Sequence, residues 1–310
     1  MKTRGLIQVR GHVVFTVTDD EGRVIQETEA DNSFTDGYVS ALVQHMSSGG
    51  TPALPLTHLS VGCGGFLVAA CDSASGWSTA PTLDTTLYKV GSGSLKVTQT
   101  ASTNGTYGHA TLTTAKDATG GYIEAWIRLG TRANFDLTNS KVRILSGSSA
   151  AKGYEISLSA IEALPTGAFT DSTWKIVKIP VASFTPFGAS PSWTTVTGMA
   201  MVVYANANGS AVINWDDVRE VPASWPVTAA ATAVADERSK KALTSLTYTA
   251  PLTLTAKAYW TAGELPGDWH IAGLWGGSGG ATLAAIVAAE FAKLAGFNLT
   301  ITWTLTFAGG

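Results

Sequence analysis

The side chains of this 310-residue chain with the means for acid–base chemistry are headed by Glu124, Glu155, Glu162, Asp216 and Asp217. Glycosidic cleavage needs two carboxyl groups facing each other across a cleft, about 5 to 9 Å apart. On alternating strands these acids are expected to point to solvent, and the neighbours Asp216 and Asp217 to opposite faces of a sheet. The histidines, His12, His45, His58, His109 and His270, are dispersed. No His-x-x-x-His or Gly-x-Ser-x-Gly spacing accompanies them, so neither metal hydrolysis nor acyl transfer is expected. Gly276-Gly277-Ser278-Gly279-Gly280 has no Gly-Lys-Ser/Thr and reads as a flexible loop rather than a phosphate cradle. Cys63 and Cys71 lack the histidine spacing of a zinc site; two buried thiols and a disulfide of an oxidising compartment both fit. An enzyme is not expected.

Composition narrows the partners. Charged residues make up 14% and apolar ones 45% of the chain, and small and hydroxyl residues fill the rest, which favours β-sandwich surfaces over helical ones. A net charge of −3 with ten scattered tryptophans, and no basic run, argues against nucleic acid. Met1-Lys2-Thr3-Arg4-Gly5 is basic but precedes no apolar h-region, and no stretch approaches 18 apolar residues, so neither a signal peptide nor membrane insertion is expected.

The elements follow from periodicity. Asn298 to Phe307 alternates strictly, with Leu299, Ile301, Trp303, Leu305 and Phe307 on one face and Asn298 and four threonines on the other. Ten such residues predict a central strand of about 33 Å. Leu6 to Val17, the turn Asp19-Asp20-Glu21-Gly22 and Arg23-Val24-Ile25 predict a hairpin. Asp31-Asn32-Ser33 predicts a helix cap, followed by an apolar stripe from Phe34 to Met46. Leu56 to Val61 reads as a strand. Between Phe66 and Val221 eight short segments separated by Ser/Gly/Asn turns predict an antiparallel sandwich or jelly roll. Leu243 to Tyr248, Leu252 to Trp260 and Trp269 to Trp275 read as further strands. Ala281 to Ala295 fits a helix by its alanines and a bulged strand by Leu283, Ile286, Val287 and Phe291. The expected organisation is mainly β: a split β-sandwich outer domain with one helix, residues 1–65 and 222–310, carrying an inserted antiparallel β jelly roll, residues 66–221.

Helix 32–46, the Val61-Gly62-Cys63-Gly64 step, Ile271-Ala272-Gly273-Leu274-Trp275 and the closing strand Leu299 to Phe307 together resemble a family of tailed-phage virion proteins. The resemblance implies a structural component of tail, baseplate or capsid surface, assembled with other virion proteins and with copies of itself as a trimer or ring. Cys71-Asp72-Ser73 to Gly76-Trp77, Gly91 to Val97, Trp174 to Pro180 and Ile213-Asn214-Trp215-Asp216-Asp217-Val218 resemble a carbohydrate-binding module of galactose-binding-like type. That likeness implies a structural calcium at Asp72 and Asp216 or Asp217. It also implies sugar recognition by aromatic faces and amides, for which Trp77, Tyr107, Trp193, Tyr204, Asn206 and Asn208 are the candidates. Trp126, Trp174 and Trp215, on strands, are expected in the core. The expected function is non-enzymatic adhesion to a host-surface glycan from the virion. The alternatives are a capsid decoration protein and a tail-associated polysaccharide depolymerase.

Overall fold

A computed structural model describes residues 7–34, 55–110, 112–147, 151–165, 167–223, 230–249, 253–264, 267–293 and 296–309. The chain divides into two compact units, residues 1–64 with 225–310 (unit 1) and residues 65–224 (unit 2). Both are built from antiparallel sheets. Among the described residues no helix is long and apolar enough to cross a membrane.

In unit 1 one sheet has the order β17 (Ser245–Thr249), β18 (Thr253–Trp260), β21 (Asn298–Gly309), β1 (Ile7–Thr18), β2 (Val24–Asp31). The terminal strand β21 is central, as its alternation requires: it pairs with β1 from Thr18↔Asn298 to Ile7↔Gly309 and with β18 on its other side. Leu299, Ile301, Trp303 and Leu305 are buried, while Thr300, Thr302 and Thr304 are half-buried on the opposite face. The β1–β2 turn is held by Asp19, whose carboxylate accepts from the backbone N–H of Glu21 and Arg23, and Gly22 takes φ +80°. The second sheet runs β16 (Glu237–Ala242), β4 (Leu56–Gly62), β19 (Gly267–Gly276), β20 (Thr282–Lys293), β3 (Ser33–Phe34). Val13, Phe15, Leu59, Trp260, Trp269, Leu274, Val287 and Trp303 fill the interior between the two sheets.

Two expectations change here. Ser33 and Phe34 form a strand paired with Ile286 and Ala285 of β20, so the helix does not begin at the Asn32 cap. The stripe from residue 35 to 46 lies outside the described residues. The Ala281–Ala295 ambiguity resolves as strand β20, paired along β19 with register shifts at Trp269/Ile271 and Leu274/Trp275. Helix propensity is worth only tenths of a kcal/mol per residue. Cross-strand pairing and burial of Ala284, Ala285 and Val287 outweigh it.

Unit 2 has one sheet ordered β13 (Thr185–Phe187), β11 (Gly153–Ser157), β10 (Lys141–Ser146), β14 (Val196–Tyr204), β8 (Asn104–His109). The other is β12 (Trp174–Pro180), β9 (Tyr122–Leu129), β15 (Ala211–Val221), β7 (Ser94–Gln99), β6 (Thr82–Asp84), with β5 (Phe66–Ala69) also paired to β15. Leu95, Ile123, Ile127, Leu129, Ile144, Met199, Met201, Ile213 and Trp215 fill its core. A five-residue helix, α1 (Leu158–Glu162), continues β11 where the sequence reads only strand; Ser157 caps it by accepting from the Ala160 N–H.

Candidate functional site

The six predicted sugar-binding side chains do not converge. Trp77 lies in the core of unit 2, edge-on to Trp215 with ring centroids 5.7 Å apart and tilted against His109, so no ring face is left for a ligand. Trp193 is half-buried and stacked on Tyr154 at 4.1 Å, with Phe184 against its edge. Tyr204 is half-buried at the end of β14, its backbone N–H bonded to Ser140 Oγ and its carbonyl accepting from the Asp136 N–H. The amides of Asn206 and Asn208 are committed to the neighbouring connection at residues 133–135. Asn206 Nδ2 donates to the carbonyls of Ala133 and Phe135, and Asn208 Nδ2 also donates to Ala133. Asn and Gln in loops commonly satisfy backbone carbonyls in this way. Of the strand tryptophans, Trp126 and Trp215 are buried and Trp174 is half-buried.

Tyr107 is different. Strands β7 and β8 are consecutive in the chain but belong to opposite sheets, each near an edge, and Tyr107 spans the opening between them. Its hydroxyl donates to Gln99 Oε1 at 2.9 Å, which fixes the ring, and burial pushes its pKa above the ordinary phenol value. The ring is 8% exposed and forms one wall of a cavity of about 320 Å³. Pro81 and Val97 supply further apolar wall, and Thr82, Thr98 and Lys96 supply polar groups. Among the described residues Lys96 Nζ has only a long contact to Asp84, at 4.0 Å, which leaves N–H donors for a ligand. Lys96 lies in the Gly91–Val97 segment, but neither it nor the two threonines is singled out by sequence as a ligand group. Their convergence comes from β6 pairing Thr82 with Lys96, which a one-dimensional reading has no means to find.

The three predicted calcium ligands do not fit a calcium. Asp72 Oδ1 accepts from the backbone N–H of Ser92 and Gly93, at 2.5 and 3.0 Å. Asp216 Oδ2 accepts from the N–H of Lys89 and Val90, at 2.7 and 2.9 Å. Asp217 is held by Arg219 through bonds of 2.8 to 3.1 Å. Among the described residues no three His, Cys, Asp or Glu side chains are grouped to hold a metal ion. A calcium ion needs six to eight oxygens. Asp72 Oδ1, Asp216 Oδ2 and both Asp217 oxygens are spent on N–H donors and on a guanidinium that already supplies positive charge.

The same segment corrects the expectation of solvated acids. A register shift between Asp216 and Arg219 interrupts β15, and Asp217 takes φ +49°. Strand alternation therefore fails at this step, and Asp216 and Asp217 are both buried, as is Glu124 on the adjacent strand. Burial pushes Asp216 up to about 7, against the backbone bonds that favour its ionised form. Its Oδ1 has no hydrogen-bond partner. Burial pushes Asp217 up as well, opposed by the Arg219 guanidinium. Glu155 and Glu162 are likewise engaged, Glu155 by Lys141 and Arg143 and Glu162 by Arg132. Cys71 is a buried, reduced thiol pushed well above its ordinary pKa by burial and by the neighbouring carboxylates. Cys63 is also buried and reduced.

No family profile and no curated protein matches the sequence. Among solved structures the chain is similar to a family 30 carbohydrate-binding module, at 15% identity over 52% of this chain and 86% of the module, with a TM-score of 0.34. It is similar to a family 11 carbohydrate-binding module from Clostridium thermocellum, solved with a β-1,3-1,4-mixed-linked tetrasaccharide, at 13% identity over 55% and 98% of the two chains, TM-score 0.34. A β-1,2-glucanase from Parabacteroides distasonis matches at 10% identity over 77% of this chain and 39% of its own, TM-score 0.36. At these TM-scores the likeness says nothing of what this chain binds.

Proposed function

We infer that unit 2 is a non-enzymatic sugar-binding domain that takes one neutral sugar residue in the Tyr107 notch. The observation that carries this is the cavity of about 320 Å³ in which an aromatic wall, an available ammonium and two threonines meet. That volume lies at the lower end of the roughly 300–1,000 Å³ typical of small-molecule sites and suits one pyranose ring. The Tyr107 rim and Pro81 would meet the C–H surface of the ring, and Lys96, Thr82 and Thr98 would bond its hydroxyls. A panel of neutral oligosaccharides titrated calorimetrically into the full chain tests the reading. One hydrogen bond to a charged group is worth roughly 1.5–3 kcal/mol, so Lys96→Ala should weaken binding about ten-fold or more. No binding across the panel, or binding indifferent to Lys96→Ala, would overturn the reading. Release of shortened products would favour a depolymerase instead.

The wider reading is a virion-surface protein whose unit 1 assembles with its neighbours while unit 2 meets a host glycan. Support for it comes from the Val61-Gly62-Cys63-Gly64 step, the closing-strand motif and the hydroxyl-rich outer face of β21. Sedimentation of the full chain tests the assembly half: a trimer or larger closed ring is expected, and a monomer at all concentrations would sink it.

A further inference from the structure

Strand pairing in unit 2 creates a second polar site. Arg143 of β10 lies opposite Glu155 of β11, and Thr185 of β13 lies opposite Glu155 on the other side. The Glu155 carboxylate is bridged: Lys141 Nζ bonds Oε1, and Arg143 Nε and Nη2 bond Oε2 at 2.8 and 2.7 Å. Burial raises the Glu155 pKa, but the two hydrogen-bonded cations outweigh it and hold the carboxyl below its ordinary range. Arg143 is also packed over the Phe187 ring at 4.4 Å, which locks the guanidinium in place.

Two fixed cations against one carboxylate leave a local charge of +1. An ammonium has three N–H donors and a guanidinium five. Glu155 takes one of the former and two of the latter, and among the described residues no other acceptor takes the rest. These side chains keep 30% and 24% of their surface in contact with solvent. Beside them opens a cavity of about 260 Å³, bordered by Lys141 and Glu155 and by the hydroxyl-bearing Thr138, Ser157, Ser183 and Thr185. Among the described residues the Asp136 carboxylate makes no ion pair with Lys141. It is spent on the N–H groups of Thr138 and Asn139 and on the Asn139 amide.

We propose that this cavity binds the carboxylate-bearing ring of an acidic sugar, a uronic acid residue, with Lys141 facing the carboxylate, Arg143 neutralising Glu155 from outside the lining, and the Ser183 and Thr185 hydroxyls facing the ring hydroxyls. The hydroxyl lining suits a polyhydroxylated anion better than a bare one. Charge-assisted bonds supply the affinity, and the absence of an aromatic platform disfavours a neutral sugar. The site does not rest on the Tyr107 notch, with which it shares no residue.

Titration of the full chain with a galacturonate trisaccharide, a neutral glucose trisaccharide, and inorganic sulfate tests the proposal. The expected result is uronate binding that neither sulfate nor the neutral trisaccharide displaces, weakened about ten-fold on raising salt from 50 to 300 mM. It should be lost at least ten-fold in Lys141→Gln, largely retained in Lys141→Arg, and reduced two- to five-fold in Ser183→Ala. Ser183 makes no bond in the ion triad, so its variant tests the hydroxyl lining without unpairing Glu155. Lys96→Ala should leave uronate binding unchanged. Absence of uronate binding, displacement of the uronate by the neutral trisaccharide, equal binding of sulfate (an anion site only), or indifference to both Lys141→Gln and Ser183→Ala would each overturn the proposal.

Discussion

Units 1 and 2 are both two-sheet antiparallel bodies, yet they place polarity in their interiors differently. Unit 1 buries large indoles and gives most of them a partner. Trp303 Nε1 donates to Asn32 Oδ1 at 3.1 Å, Trp275 Nε1 to Ser60 Oγ at 2.7 Å, and Trp260 Nε1 to Ser239 Oγ at 3.1 Å. The first of these depends on Gly11, where any Cβ would collide with the Asn32 amide. Unit 2 instead concentrates buried ionisable groups along one interrupted strand, with Asp216, Asp217 and Arg219 within four residues, where unit 1 buries Lys293 and His270 on separate strands. A neutral buried donor needs only one acceptor, whereas a buried carboxylate titrates. The two interiors should therefore answer to different perturbations.

The largest effect is expected from truncating the centre of unit 1. Trp303→Ala should cost about 3–5 kcal/mol, read from urea unfolding, because it removes a fully buried indole from between two sheets. A loss below about 1 kcal/mol would show that β21 does not anchor that core.

Acidity should single out unit 2. Folded Asp216 keeps its proton up to about pH 7 and, unfolded, loses it near 3.8. The folded state thus holds more protons across that window, and stability falls as pH rises through it, then levels off. The change is on the order of 3 kcal/mol, one pKa unit being about 1.4 kcal/mol. Hydrogen exchange along β15 at pH 4.5 and 7.5 should show it, and Asp216→Asn should flatten it. An equally steep profile in the variant would assign the slope to another group.

Alkali should single out unit 1. Lys293 is fully buried, with Nζ bonded to the carbonyls of Ala262 and Glu264, and burial lowers its pKa to about 8 from 10.5. The unfolded chain holds the extra proton between these values, so stability should rise by about 2 kcal/mol from pH 8 to 10. Lys293→Met should remove that rise; exchange of β20 amides is the readout. The smallest effect, about 1–2 kcal/mol, is expected for Asn32→Ala, which strands the Trp303 N–H. Trp303 fluorescence would report it, and a neutral variant would mean that the indole finds another acceptor.

How much of this was legible varies with the range of the interaction. The role of β21 was readable because period-two alternation is written in consecutive residues, and Leu299 to Leu305 bury as their spacing requires. The β1–β2 hairpin was readable from Asp19 to Gly22 for the same reason. β20 was ambiguous because alanine suits either structure locally, and the decision came from pairing with β19 and β3. The aromatic candidates largely misled, since residue type does not reveal which face of a ring is already covered: Trp77 by Trp215, Trp193 by Tyr154.

The sequence by itself determined that the chain is mainly β, which strand is central to unit 1, and that no local catalytic or metal motif is present. Tertiary structure alone decided that Asp216 is buried with an unmatched oxygen, that Lys96 and Tyr107 border one cavity, and that Lys141 and Arg143 converge on Glu155. Alternation is a property of neighbouring residues. Burial, cavities and ion pairs arise from register between strands distant in sequence, and a single bulge is enough to reverse which way a side chain points.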